Sequence, residues 1–95
     1  MAKIAFTEDL AFSVANFSSF EKGKVYFDDG LVSALRKDGE EFTATVTGNE
    51  PYRVRLRFDH DELTYSCSCP YDFGGACKHV VAAILAFASD RNVAH

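Results

Sequence analysis

From about residue 31 to residue 69 apolar and polar side chains alternate with a period of two, the spacing of a half-buried strand. Leu31, Ser33 and Leu35 alternate with Val32, Ala34 and Arg36, and Asp38-Gly39 then offers the positive-φ residues of a tight hairpin. Phe42, Ala44 and Val46 oppose Thr43, Thr45 and Thr47. After Gly48-Asn49-Glu50-Pro51, Val54, Leu56 and Phe58 oppose Arg53, Arg55 and Arg57. A further turn at 59–62 precedes Leu63, Tyr65, Cys67 and Cys69, which share one face. The pattern predicts four strands, at about 31–37, 41–47, 52–58 and 62–68, in an antiparallel meander. Matching the apolar faces predicts the pairs Leu35 with Phe42, Val46 with Val54, and Phe58 with Leu63. One face is then apolar and the other is made of Thr, Ser and Arg.

On either side of this stretch the pattern is helical. In residues 7–20 Leu10, Val14 and Phe17 recur at i, i+4 and i+7, as on one stripe of a helix, and Ser18-Ser19-Phe20-Glu21 has the spacing of a capping box for a second helix over about 20–28. A competing signal reads Val25-Tyr26-Phe27 followed by Asp28-Asp29-Gly30 as a strand entering a turn; the capping box favours the helix. After Pro70 and the Gly74-Gly75 pair, residues 77–88 have the length and composition of a helix, placed on the apolar face of the sheet. The expected class is α+β, a single domain over 1–95, with a helical front segment (1–30), a sheet (31–66) and a C-terminal unit (67–88).

Composition changes this picture little. With 47% hydrophobic residues and nine Phe, the 95-residue chain has the material for one core, though a core of that size is marginal alone. Charge matters more. Fourteen acids against ten bases give −4, so any surface that attracts a polyanion has to be local. Residues 1–10 hold no continuous apolar stretch and the run 80–88 is too short to span a bilayer, which predicts a cytoplasmic, reducing location with no membrane partner. Three cysteines in such a compartment read as metal ligands or redox groups before disulfides.

The chemistry lies in Cys67-Ser68-Cys69 and Cys77-Lys78-His79, four ligand-type side chains within thirteen positions. Cys67 and Cys69 project from one side of a strand end, the glycine-containing loop turns the chain back, and Cys77 and His79 stand at a helix entry. Three thiolates and one imidazole there suit one tetrahedral Zn²⁺, and the helix N-terminus would favour the thiolates. Three other readings are weaker: free cysteines as small buried hydrophobes, a strained Cys67–Cys69 disulfide, and a Cys77 nucleophile with His79 as its base. The last is disfavoured because side chains two apart at a helix start are expected to diverge and no third group orients them.

This spacing resembles the SWIM-type zinc fingers, whose signature is Cys-x-Cys, a variable loop, then Cys-x-His. Pro70 after the second Cys and Lys78 inside the last pair fit the resemblance. A looser likeness to bacterial stand-alone members extends to Gly23-Lys24-Val25-Tyr26 and Tyr52-Arg53-Val54; residues 1–17 fall outside it. The resemblance implies a small β–β–α zinc unit attached to a preceding sheet, binding DNA or protein without catalysis, and it implies a helicase-like ATPase as one class of partner. Four protein ligands would close the coordination sphere, which agrees with a structural metal, no small-molecule substrate and no enzyme activity. His60 and His95, in an acidic turn and at the chain end, imply no catalytic partner.

Two binding modes compete. Arg53, Arg55 and Arg57, flanked by threonines and with Lys78 toward the metal end, would suit phosphate and sugar contacts. The terminal helix is apolar around most of its circumference, so a second surface must cover what the sheet leaves open: the front helix, or a protein partner. The expectation is a protein-interaction adaptor, with direct nucleic-acid binding through the arginine face as the alternative.

Overall fold

In the computed structural model, residues 7–48, 50–59, 62–68 and 77–89 are described. The elements run α1 (Glu8–Val14), α2 (Phe17–Asp28), β1 (Val32–Asp38), β2 (Glu41–Thr47), β3 (Pro51–Asp59), β4 (Glu62–Cys67) and α3 (Lys78–Ser89). The strands form one antiparallel sheet in the order β1-β2-β3-β4, the expected meander. The expected turn residues His60 and Asp61, the ligand candidate Cys69, the loop with Pro70 and Gly74-Gly75, and His95 lie outside the described residues.

The front segment is two helices, but their junction is not where the capping box put it. α1 is capped by Thr7, whose Oγ1 accepts from the Leu10 amide at 3.0 Å, with Glu8 and Asp9 favourably placed in its first turn. The chain turns at Ala15, and Asn16 caps α2 by accepting from the Ser19 amide at 2.8 Å. Ser18 and Ser19 are therefore inside α2, and Phe17 opens that helix at 64% exposure instead of continuing the stripe of Leu10 and Val14. At the other end Gly30 adopts φ +73°; its amide donates to the Phe27 carbonyl and the Leu31 amide donates to that of Tyr26. That is the Schellman stop, so the Asp-Asp-Gly sequence ends a helix and is not the turn of a hairpin.

Two of the three expected strand registers need correction. Phe58 does pair with Leu63. Val54 pairs with Ala44 instead of Val46, a slip of two residues that leaves both faces intact. Leu35 does not pair with Phe42, which faces Lys37. Between Ser33 and Arg36 the register shifts, so that Ala34 and Leu35 together stand opposite Ala44, and Ala34 takes φ +55°. This is a β-bulge, and it reverses the alternation within β1. Val32 and Leu35 both pack toward the core, whereas Arg36 turns to the solvent face beside Thr43. The hairpin that follows turns through Gly39 and Glu40, with positive φ at Gly39 and not at Asp38.

α3 is the middle layer. It meets all four strands on one side and both front helices on the other. Every residue from His79 to Phe87 is buried, with Val80, Val81, Ile84 and Phe87 among the largest fully enclosed side chains. β-branched residues weaken intrinsic helix propensity, so this helix is held by packing on both flanks. Its apolar circumference is covered within the chain, by α1 and α2.

Candidate metal centre

The centre forms where the end of β4 meets the start of α3. Val54 is the cross-strand partner of Cys67, and the Ser68 amide donates to the Arg53 carbonyl at 3.1 Å while Ser68 Oγ accepts from the Arg53 amide at 3.0 Å. The pairing therefore continues one residue past Cys67 and holds its side chain on the apolar face. Cys77 precedes α3, and its carbonyl accepts the Val81 amide at 3.1 Å, the first bond of the helix. His79 follows in the first turn, where unpaired amides make the surroundings favourable to thiolates.

His79 Nδ1 lies 3.6 Å from Cys67 Sγ and 3.8 Å from Cys77 Sγ, and the three ligand atoms lie within 4.8 Å of one another. A tetrahedral zinc with bonds of about 2.3 Å to sulfur and 2.0–2.1 Å to nitrogen separates S and N by about 3.6 Å and two sulfurs by about 3.8 Å. The observed distances fit that donor set. Cys77 and His79 are each 4% exposed, and Cys67 is half-buried. The expected divergence of Cys77 and His79 does not occur. Even so, Nδ1 stands nearly equidistant from two thiols, which suits a shared cation better than a nucleophile–base dyad.

Two aromatic residues complete the surroundings of the imidazole, and ligand spacing alone gave no hint of their role. Tyr52, on β3, stacks on His79 with ring centroids 4.3 Å apart and planes 27° apart; Tyr26, on α2, meets it edge-on at 5.6 Å. Their sequence signal was present in the Gly23-to-Tyr26 and Tyr52-to-Val54 segments. Lys78 Nζ sits over the Tyr26 ring at 5.3 Å, on the helical side of the molecule. It is not brought to Arg53, Arg55 and Arg57, which occupy the opposite, solvent face of the sheet together with Arg36. There a groove of about 400 Å³ is lined by Arg36, Arg53 and Arg55, by the carboxylates of Asp38 and Glu41, and by Thr43 and Thr45, and Arg55 Nε reaches Glu41 Oε1 at 3.7 Å.

Residues 52–88 match the family described as the SWIM zinc finger. The matched span runs from Tyr52 through β3, β4 and most of α3 and contains Cys67, Cys77 and His79, so the chain carries a SWIM zinc finger, a zinc-binding unit, at its C-terminal side. The Uncharacterized protein MJ1493 of Methanocaldococcus jannaschii is 30% identical over 73 residues, which make up 77% of this chain and 30% of that protein. This chain thus spans less than a third of the length of the curated relative it matches. No solved structure matches it. Among the described residues, no helix is long and apolar enough to cross a membrane.

Proposed function

We propose that the chain is a non-catalytic binding module, folded around one structural zinc held by Cys67, Cys69, Cys77 and His79, whose working surface is the arginine face of the sheet and whose ligand is the backbone of a nucleic acid. The observation that carries this reading is the concentration of charge: four of the five arginines of an acidic chain, Arg36, Arg53, Arg55 and Arg57, stand on one open face. Arg36 joins them only because the bulge at Ala34 reverses the parity of β1. Threonine hydroxyls between the guanidinium groups supply further donors to phosphate oxygens. Four protein ligands leave the metal no open position, so its role is to hold β4 against α3. Thiolate ligation of this kind fits a reducing compartment.

The test is a titration of labelled duplex and single-stranded DNA over a range of salt. If the face grips phosphates, log affinity falls with log salt by about 0.9 per contact on duplex or 0.7 on single strands, and replacing Arg36, Arg53, Arg55 and Arg57 with Gln flattens the slope by about three units. Undetectable binding by the wild type at low salt rejects the reading.

The second reading, a protein-interaction adaptor, draws on a different observation. Phe12, Phe17 and Val25 on the outer helical layer are 53%, 64% and 55% exposed, apolar side chains that a partner could cover. A partner, of which a helicase-like ATPase is one class, would be recovered by the wild type after nuclease treatment and lost on substituting Phe12 and Phe17 with Ser.

A further inference from the structure

His79 is the most constrained side chain of the metal centre, and its constraint comes from outside the ligand set. Nδ1 faces both thiols, while Nε2 is buried and has no hydrogen-bond partner among the described residues. Ligating imidazoles are ordinarily oriented by donating their second N–H to a carboxylate or carbonyl. Here the ring plane is set by aromatic packing, with Tyr52 on its face and Tyr26 at right angles to it.

Tyr26 reaches this position through two glycines. A Cβ on Gly23 would lie 2.5 Å from Val81 Cβ and 2.7 Å from the Lys78 carbonyl oxygen, so only a bare backbone lets α2 press on the first turn of α3. A Cβ on Gly48 would lie 3.2 Å from the Tyr26 hydroxyl oxygen, which therefore rests against the β2–β3 turn. Helix α2 lies wholly outside the matched finger of residues 52–88.

We infer that Tyr26 and Tyr52 are positioning residues of the zinc centre: they hold the His79 ring so that Nδ1 is the ligating atom, and they make α2 part of the zinc-binding unit. The inference rests on the zinc centre and is independent of what the arginine face binds. Because, among the described residues, aromatic contact stands where a hydrogen bond is usual, the ring and not the tyrosine hydroxyl carries the effect.

The experiment is a competition titration of zinc against a chromophoric chelator with the full chain, paired with ¹⁵N–¹H correlation spectra of the His79 ring, which identify the metal-bound nitrogen. Tyr52→Leu and Tyr26→Leu are each expected to weaken zinc by about 10–100-fold, the range found for partners that orient metal ligands. Tyr52→Phe and Tyr26→Phe should keep wild-type affinity, and the wild-type spectrum should show Nδ1 as the bound atom. Ligation through Nε2 in the wild type overturns the inference. So does unchanged zinc affinity in both Leu variants, or a Phe variant as weak as its Leu counterpart. If a Leu variant does not fold, the Phe variants and the wild-type spectrum still decide.

Discussion

At its C-terminal end α3 is held by carbon. Phe87 has no exposure, meets Phe42 edge-on at 5.3 Å, and lies among Leu56, Ile84 and the residues of the sheet's inner face. At its N-terminal end the same helix buries Cys77 and His79, together with a ring nitrogen that has no partner among the described residues. Both ends are equally removed from water, yet what holds them differs in kind. Apolar burial stabilises at any metal concentration, whereas buried thiols and imidazole repay their desolvation only when a cation joins them. One helix therefore carries a metal-independent floor of stability at one end and a metal-dependent closure at the other.

The comparison is broken most forcefully at the carbon end. Phe87→Ala should cost about 3–5 kcal/mol, the usual penalty for emptying a core aromatic site. In a domain with roughly 5–15 kcal/mol in total, that removes a large share of the whole. Denaturant melts of the zinc-loaded protein measure it, and a loss below about 1 kcal/mol would mean that the sheet and α3 are not one core.

Metal removal comes next and should act on the other end. Zinc held at about a hundred times its dissociation constant adds about 2.7 kcal/mol to whatever state binds it. Hydrogen exchange after chelation should show lost protection at Cys67 and at Val80 to Ala83, with protection surviving between Phe42 and Phe58, because that part of the sheet keeps its apolar face. Simultaneous loss everywhere would show that the two ends form one cooperative unit.

Gly23→Ala tests the boundary between them. The added methyl meets Val81 and the Lys78 carbonyl at distances that force α2 away from α3, for a cost of about 1–3 kcal/mol. The strain falls on the first turn of α3, so the variant should lose zinc more readily than wild type in chelator competition, while Phe42 to Phe58 keep their exchange protection. A stability loss with zinc affinity unchanged would detach α2 from the metal end.

The legibility of the chain follows the same division. Strand number, order and the buried C-terminal helix were readable because alternation and all-round apolarity are properties of the side chains themselves. Cys67, Cys77 and His79 were readable as a cluster because ligand chemistry admits few residue types. What escaped was backbone geometry. Ala34 carries no mark of a bulge, since the residue usually found at positive φ is glycine, and missing it put Val32 on the face opposite Leu35, although both pack toward the core. The capping-box spacing pointed to Ser18, and Asn16, an equally good cap residue two positions earlier, caps α2 instead. Gly30 was the available signal that α2 is a helix to its end. The part played by Tyr26 depends on how close two helices approach, which no local pattern encodes.

The smallest effect is expected at that bulge. Ala34 holds φ +55°, a conformation that costs an L-residue roughly 1–2 kcal/mol relative to glycine. Ala34→Gly removes this cost, but the freer unfolded chain takes back about 0.5–1 kcal/mol. The net result should be a stabilisation of about 0.5 kcal/mol, read as a rise in denaturant midpoint at unchanged slope. The bulge touches neither end of α3 through the metal, so the shift should be the same with zinc bound and after chelation, and the arginine face should keep its salt dependence because Arg36 stays where it is. A destabilisation would mean that the Ala34 methyl packs usefully against the groove. A shift present only in the zinc-loaded protein would mean that the far edge of the sheet feels the metal, and the two ends of α3 would then have to be treated as one.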